Sequence, residues 1–449
     1  MLKKLLLVII VILISSCEKE SIDESYTRTL TNTPSPTEMS ITESYNEIPL
    51  NGTRAEFIDQ AIHQPHGNLV YEIDGDMYLL VPGAGYIGDL DGYPILFKQV
   101  EGKWEYLKSF PNVGIEMIRN HRTVDSTTFI WAGAPENNAD ICLYKNGCEI
   151  ARPGNAWVVK AIKDDVIFTK INTETDWFHD IAYGDLDNDG LFDIVWNSRH
   201  VYFQNPDGTF HIERNVFPDT YGTVYFSVEI GDLFGDSKLE IVKSVYLNAE
   251  FSYQKNGFLV YNFNESTRKM DLVLEKQNPL LDGDYGGSYT RIIDINNDGY
   301  SDLLINREGG SGVRNGTIEV WLGDGTTNLT PYDVITNSNG MFEFWGFELL
   351  DVNNDNFLDI ILKGGNGRTR LGSKHEDGFR LNDLIWLNDG SGKYENYTDT
   401  ELVGGQGTIM SKFIPYMKNG NLTFWGGVTD YNYTEIATVR IYDVEIINL

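Results

Sequence analysis

Three nine-residue loops limit what this chain can fold into. Asp185-Leu186-Asp187-Asn188-Asp189-Gly190-Leu191-Phe192-Asp193 runs straight into the apolar Ile194-Val195-Trp196. The pattern returns as Asp294-Ile295-Asn296-Asn297-Asp298-Gly299-Tyr300-Ser301-Asp302 before Leu303-Leu304-Ile305. A third copy is Asp351-Val352-Asn353-Asn354-Asp355-Asn356-Phe357-Leu358-Asp359 before Ile360-Ile361-Leu362. Side-chain oxygens recur at loop positions 1, 3, 5 and 9, and position 6 is Gly or Asn. Calcium takes about six to eight oxygen ligands at about 2.3 to 2.6 Å, and alternate residues of a tight loop can aim their oxygens at one centre. The position-7 carbonyls of Leu191, Tyr300 and Phe357 would add one ligand each. The side-chain charge is minus four in the first loop and minus three in the other two, a repulsion that a divalent ion removes.

A helix-loop-helix calcium site needs a bidentate Glu at position 12. Here position 12 is Trp196, Ile305 and Leu362, so that site is excluded three times. The residues after each loop are β-branched, Leu or aromatic, which suits a strand. Each loop therefore reads as a β-hairpin connection clamped by Ca2+, giving about three ion sites.

These loops resemble the FG-GAP and VCBS repeats of integrin α-subunit propellers and of many bacterial surface proteins, over roughly residues 176 to 400. The resemblance implies an all-β chain, a β-propeller of four-stranded blades with calcium-binding hairpin loops. Asp at position 1 recurs at 185, 232, 294 and 351, in steps of 47, 62 and 57 residues. About 55 residues per blade predicts about seven blades over 51–449. In Ile230 to Glu240 the repeat keeps its shape but has Phe234 at position 3, so a hairpin with weak or no metal binding is expected there. Gly88-Asp89-Leu90-Asp91-Gly92 is expected to be a plain turn. Asp74-Gly75, Asn146-Gly147, Asp207-Gly208, Asp324-Gly325 and Asp389-Gly390 punctuate the chain as turns.

At the N-terminus, Lys3 and Lys4 precede the apolar run Leu5 to Ile14 and then Ser15-Ser16-Cys17. This is a secretory leader too short to span a bilayer. Its Ile-Ser-Ser-Cys end resembles the lipobox of bacterial lipoproteins, which implies cleavage before Cys17 and a lipid on its sulfur. Residues 18–50 are rich in Ser, Thr, Glu and Asn and read as a flexible tether. Glu18, Glu20, Asp23 and Glu24 directly after the Cys resemble the acidic stretch that directs some lipoproteins of Gram-negative bacteria to the cell surface, and the resemblance implies the outer face of the outer membrane. Losing Lys3 and Lys4 with the leader takes the formal net charge from -31 to -33. That charge argues against nucleic acid, and leaves the lipid anchor as the only contact with membrane.

Cys142 and Cys148 are an expected disulfide in an exported chain. A tight Asn146-Gly147 turn would put the two cysteines out of step, so the bridge requires a wider loop.

No His-Glu-x-x-His pair, Gly-x-Ser-x-Gly elbow, phosphate loop or dinucleotide fingerprint is present, and no catalytic residue is assigned. In a four-stranded meander the first and third connections share one end, and the second connection shares the other with the blade-to-blade link. Loops 247–256, 306–316 and 364–381 are then second connections of consecutive blades. They hold Phe251, Tyr253, Arg307, Arg314, Arg368, Arg370, Lys374 and Arg380, and Arg and aromatic residues are favoured at binding hot spots. The expected function is adhesion or assembly, with a protein or glycan partner held opposite the calcium loops. The alternative is a carbohydrate-active enzyme such as a polysaccharide lyase, which the VCBS resemblance keeps open. Trp196, Trp321 and Trp386 are expected to pack between blades.

Overall fold

The computed structural model describes residues 38–46, 67–82, 94–110, 113, 118–133, 155–171, 180–196, 200–218, 225–245, 257–281, 285–309, 316–336, 346–363, 379–380, 384–399, 402–403, 413–429, 439–447 and 449. Strands are numbered in chain order from β1 (Glu38–Asn46). Blade one is β2 (Leu69–Ile73), β3 (Asp76–Val81), β4 (Ile95–Val100) and β5 (Lys103–Ser109). Blade two is β6 (Ile118–Thr123), β7 (Thr128–Gly133), β8 (Asn155–Ile162) and β9 (Asp165–Ile171). Blade three is β10 (Ile181–Gly184), β11 (Asp193–Trp196), β12 (Val201–Gln204) and β13 (Phe210–Glu213). Blade four is β14 (Tyr225–Gly231), β15 (Glu240–Val245), β16 (Gly257–Asn264) and β17 (Lys269–Gln277). Blade five is β18 (Tyr285–Ile293), β19 (Asp302–Gly309), β20 (Thr317–Leu322) and β21 (Thr330–Thr336). Blade six is β22 (Gly346–Leu350), β23 (Asp359–Lys363), β25 (Ile385–Asn388) and β26 (Tyr394–Asn396), with β24 (Phe379–Arg380) between its second and third strands. After β27 (Leu402–Val403), blade seven takes β28 (Phe413–Lys418), β29 (Asn421–Thr429) and β30 (Val439–Ile447).

Every blade is an antiparallel meander, and the seven sheets form a β-propeller. First strands of neighbouring blades touch, β6 with β10, β10 with β14, β14 with β18, β18 with β22 and β22 with β28, so they lie around the axis. Second strands are covered on both faces by neighbouring blades, which is why apolar residues dominate their middles. All residues of β11, β15 and β23 are buried, whereas β17 on the outside is mostly exposed. Trp104, Trp131, Trp196, Trp321 and Trp425 are fully buried, and Trp386 packs partly buried against the core of blades five to seven.

The ring closes through the N-terminus. β1 is the outermost strand of blade seven, paired with β30 from Glu38 opposite Ile447 to Asn46 opposite Val439. This corrects the tether, which was expected to run to residue 50 but gives way to a strand at Glu38. Met39, Ile41 and Tyr45 carry the two-residue alternation of a strand, yet a fourth strand donated from the far end of the sequence has no local signature.

Charge is buried along the axis. Arg122, on β6, donates from Nη2 to both Asp180 oxygens at 3.0 and 2.9 Å, and from Nε to the Ile181 carbonyl at 2.6 Å. Its Nη2 also lies 2.9 Å from the Val228 carbonyl, and its Nη1 lies 3.2 Å from Glu229. Asp180 accepts from the Ile181 and Val228 N–H groups and from Ser227 Oγ. Glu229 also meets Arg291 at 3.2 Å, and Lys363 donates to Glu348 at 2.7 Å. Burial pushes the Glu348 carboxyl up, but Lys363, Arg291 and His121 outweigh it and hold Glu348 below its usual range. The Tyr289 ring sits among three of these cations, with Arg122, Arg291 and Lys363 at 4.9, 4.7 and 4.7 Å from its centroid. The network joins first strands and their flanks from blade two to blade six.

Candidate metal centre

The acidic loops are the first connections of blades three, four, five and six, at residues 185–192, 232–239, 294–301 and 351–358. All four have one backbone path. The position-1 carboxylate accepts the N–H groups of positions 5 and 6: Asp185 at 3.0 and 2.9 Å, Asp232 at 3.1 and 3.0 Å, Asp294 at 3.2 and 2.9 Å, Asp351 at 3.1 and 3.0 Å. The position-5 carboxylate accepts the N–H of position 7: Leu191 to Asp189, Lys238 to Asp236, Tyr300 to Asp298, Phe357 to Asp355. Positions 4 and 6 both have positive φ, as at Asn188 (58°) and Gly190 (85°), or Asn354 (60°) and Asn356 (70°). Gly and Asn tolerate that backbone best, which accounts for their recurrence at these positions.

Position 9 ties each loop to its blade. Asp193 accepts from Leu186 N at 3.0 Å and from Gln204 N, on the third strand, at 3.1 Å. Asp302 does the same with Ile295 and Gly323, and Asp359 with Val352 and Asn388. Glu240 accepts from Leu233 and Phe234. These four carboxylates are fully buried. Desolvation, reinforced by the neighbouring loop aspartates, pushes Asp193 and Glu240 up to about 7 and Asp302 and Asp359 up to about 6.

A raised carboxyl pKa means that the folded chain holds protons the unfolded chain has released, so stability falls as pH rises from about 4 through 6 and 7. With calcium chelated, the melting temperature is expected to drop by several degrees between pH 5.5 and pH 8. With calcium saturating, the drop should shrink, because the ion favours the ionised form. A chelated chain whose melting temperature rises over that interval would contradict this assignment.

The first loop fits a cation best. One oxygen each from Asp185, Asp187 and Asp193 lie within 4.8 Å of one another. Asp187 Oδ1 is buried and has no hydrogen-bond partner among the described residues, while Oδ2 faces Arg268 of blade four at 3.3 Å. A buried carboxylate oxygen without a donor is costly, and a cation among these three carboxylates would supply its partner. Asp189 stands exposed at the loop tip, and Leu191 is half-buried. In the loops of blades five and six, Asn296 and Asn353 replace the position-3 aspartate. Their Oδ1 atoms accept from Asp298 N and Asp355 N, and their Nδ2 atoms donate to the same aspartates. Those loops keep the carboxylates of positions 1, 5 and 9 and carry one charge fewer.

Blade four adds a group that sequence reasoning discounted. Asp232, Asp236 and Glu240 bring carboxylate oxygens within 4.8 Å of one another. Phe234 turns into the core between blades four and five, leaving position 3 without a side-chain oxygen. Lys238 Nζ lies 3.6 Å from Asp236. The signal in the sequence was the carboxylate at positions 1, 5 and 9, present despite the phenylalanine.

Third connections meet the acidic loops at the same end of the ring, as a meander requires. Asp207, Asp324 and Asp389 each accept the N–H two residues on. The Tyr300 ring covers Gly325, where a Cβ would lie 2.4 Å from the ring, and Phe357 covers Gly390 at 2.7 Å. These two aromatics hold the first and third connections of their blades together.

At the other end the second strands of blades four, five and six finish at Val245, Gly309 and Lys363. Arg307 leaves the partner-binding set. β19 extends to Gly309, and Arg307 is wholly buried with its Nε on Glu319 of β20. A buried ion pair hides two charges inside what otherwise reads as an apolar strand and loop. The backbone of Arg380 lies in the β24–β27 ladder, opposite Leu402. Phe251, Tyr253, Arg314, Arg368, Arg370 and Lys374 lie outside the described residues. So do Cys17, Cys142, Cys148 and the turn expected at 88–92.

The chain carries FG-GAP-like repeats, matched at residues 185–242 and 294–362. These spans contain all four acidic loops. No curated protein matches. Among solved structures, a protein from Lactobacillus plantarum is 12% identical, with a TM-score of 0.46 over 76% of this chain and 85% of that one. The Dos1 propeller is 11% identical, with a TM-score of 0.42 over 84% of this chain and 92% of that one. The C-terminal WD40 domain of Sif2 is 12% identical, with a TM-score of 0.34 over 65% of each chain.

Proposed function

We propose that this propeller is a lipid-anchored protein of the bacterial cell envelope, clamped by calcium, that binds a surface protein or glycan through the end of the ring opposite its acidic loops. FG-GAP-like repeats and the carboxylate groups of the first connections support the calcium part. The orphaned Asp187 Oδ1 is the observation that carries it. Calcium would act as a structural clamp, because position 9 already fastens the loops of blades three, five and six to their third strands or the residue just after and the loops end in strands rather than helices.

The partner end follows from topology. Second-to-third-strand junctions of three consecutive blades share one end of the ring, and the β24–β27 ladder joins the blade-six junction to the link toward blade seven. Arg368 and Arg370 belong to that junction in sequence. A lyase would want cations open to an acidic sugar, whereas Arg122, Arg291 and Lys363 at the axis each face a carboxylate. Binding is therefore the reading favoured over catalysis.

The test is a screen of the full chain against glycan and envelope-protein panels, with and without Ca2+. Replacing Arg368 and Arg370 together by Ala should weaken a confirmed partner at least tenfold and leave the melting temperature unchanged. A partner whose affinity ignores both arginines would remove this face from the reading.

A further inference from the structure

The N-terminal strand enters the ring from one definite end. First strands run toward the end that carries the acidic loops, second strands run away from it, and third strands return. In blade seven, β28 reaches the Asn419-Gly420 turn at that end and β30 comes back to it at Ile447. β1 is antiparallel to β30 with Glu38 opposite Ile447. Glu38 therefore sits at the acidic end, and Asn46 at the far end.

The geometry points to a preferred presentation: the ring hangs from its acidic end, so that the calcium loops face the lipid and the second-to-third-strand junctions of blades four to six face away from it. This rests on the lipid anchor at Cys17 proposed above. Residues 18–37 separate Cys17 from Glu38. The blades' longer strands, at about 3.3 Å per residue, make the ring up to about 30 Å high. Hung by the acidic end, the junction at Glu38 can lie close to the headgroups. Inverted, the ring would hold that junction a full strand length away, a distance the link from Cys17 would then have to bridge. Calcium in the loops also removes the repulsion that an acidic face would meet from lipid phosphates.

Two positions on blade four report the orientation. Lys238 lies in the acidic loop with its side chain 71% exposed, and Leu280, 54% exposed, follows β17 at the far end. In a Cys142→Ser, Cys148→Ser background, Lys238→Cys and Leu280→Cys would each carry a donor fluorophore. The lipidated chain would be placed on calcium-containing phosphatidylethanolamine vesicles with a headgroup acceptor. Energy transfer from position 238 is expected to exceed that from position 280 at least twofold. Equal or reversed transfer in a vesicle-bound chain overturns the orientation alone. The unmutated chain should float with vesicles and Cys17→Ser should not; failure of the unmutated chain to float overturns the anchor and the orientation with it.

Discussion

Chelating calcium is expected to lower the melting temperature by about 5 °C from its value at 1 mM Ca2+. Sites in extracellular modules bind at about 10^-4 M or weaker. At that affinity each of three sites contributes about 1.4 kcal/mol at millimolar calcium, or about 4 kcal/mol together. Unfolding roughly 400 residues carries an entropy of about 0.8 kcal/mol per degree, which converts the sum to about 5 °C. Asp189→Ala and Asp298→Ala each remove an exposed position-5 carboxylate that accepts the position-7 N–H of its loop, and Asp298 also accepts from Asn296 Nδ2. Each should lower the melting temperature in the presence of calcium and reduce the further loss on chelation by about a third. Scanning calorimetry with and without chelator decides it. An unchanged melting temperature in both variants and on chelation would eliminate the metal sites.

Replacing Arg122 with Met should cost about 3 to 5 kcal/mol, because it strands Asp180 as an unpaired buried charge. Arg122 and Asp180 are 2% and 0% exposed and meet at 2.9 Å. They also bond to backbone groups on β10 and β14, so the loss is felt in blades two, three and four together. The melting temperature should fall by about 4 to 6 °C by the same conversion. Changing Asp180 to Asn as well should recover part of the loss, since the buried negative charge is then gone. A double variant no more stable than Arg122→Met would show that the arginine acts through packing on Tyr289 instead. Thermal melts of the two variants provide the comparison.

Much of this was legible in the chain because the repeat is local. A carboxylate at positions 1, 5 and 9 with Gly or Asn at 6 lies within nine residues, and the apolar run after it announces a buried second strand. The fourth group at Asp232, Asp236 and Glu240 is equally local, but Phe234 at position 3 led the sequence to be read there as a hairpin with weak or no metal binding. Arg307 failed for the opposite reason. Its partner Glu319 is twelve residues away on the next strand, and nothing near Arg307 in the sequence distinguishes a buried pair from a solvated loop cation. The axial network is harder still, since Arg122, Asp180, Glu229, Arg291 and Glu348 each come from a different blade.

By itself the sequence determined an all-β repeat, the spacing of its blades and the oxygen sets of its acidic loops, because these depend on residues a few positions apart. Only the tertiary structure decided that Glu38–Asn46 closes the ring, that Arg122 and Arg307 are buried, and that the chain enters at the acidic end. Those outcomes depend on pairings between segments up to about 400 residues apart, such as Glu38 with Ile447. Such pairings are selected by ring closure and by the cost of burying unpaired charge, neither of which leaves a local pattern.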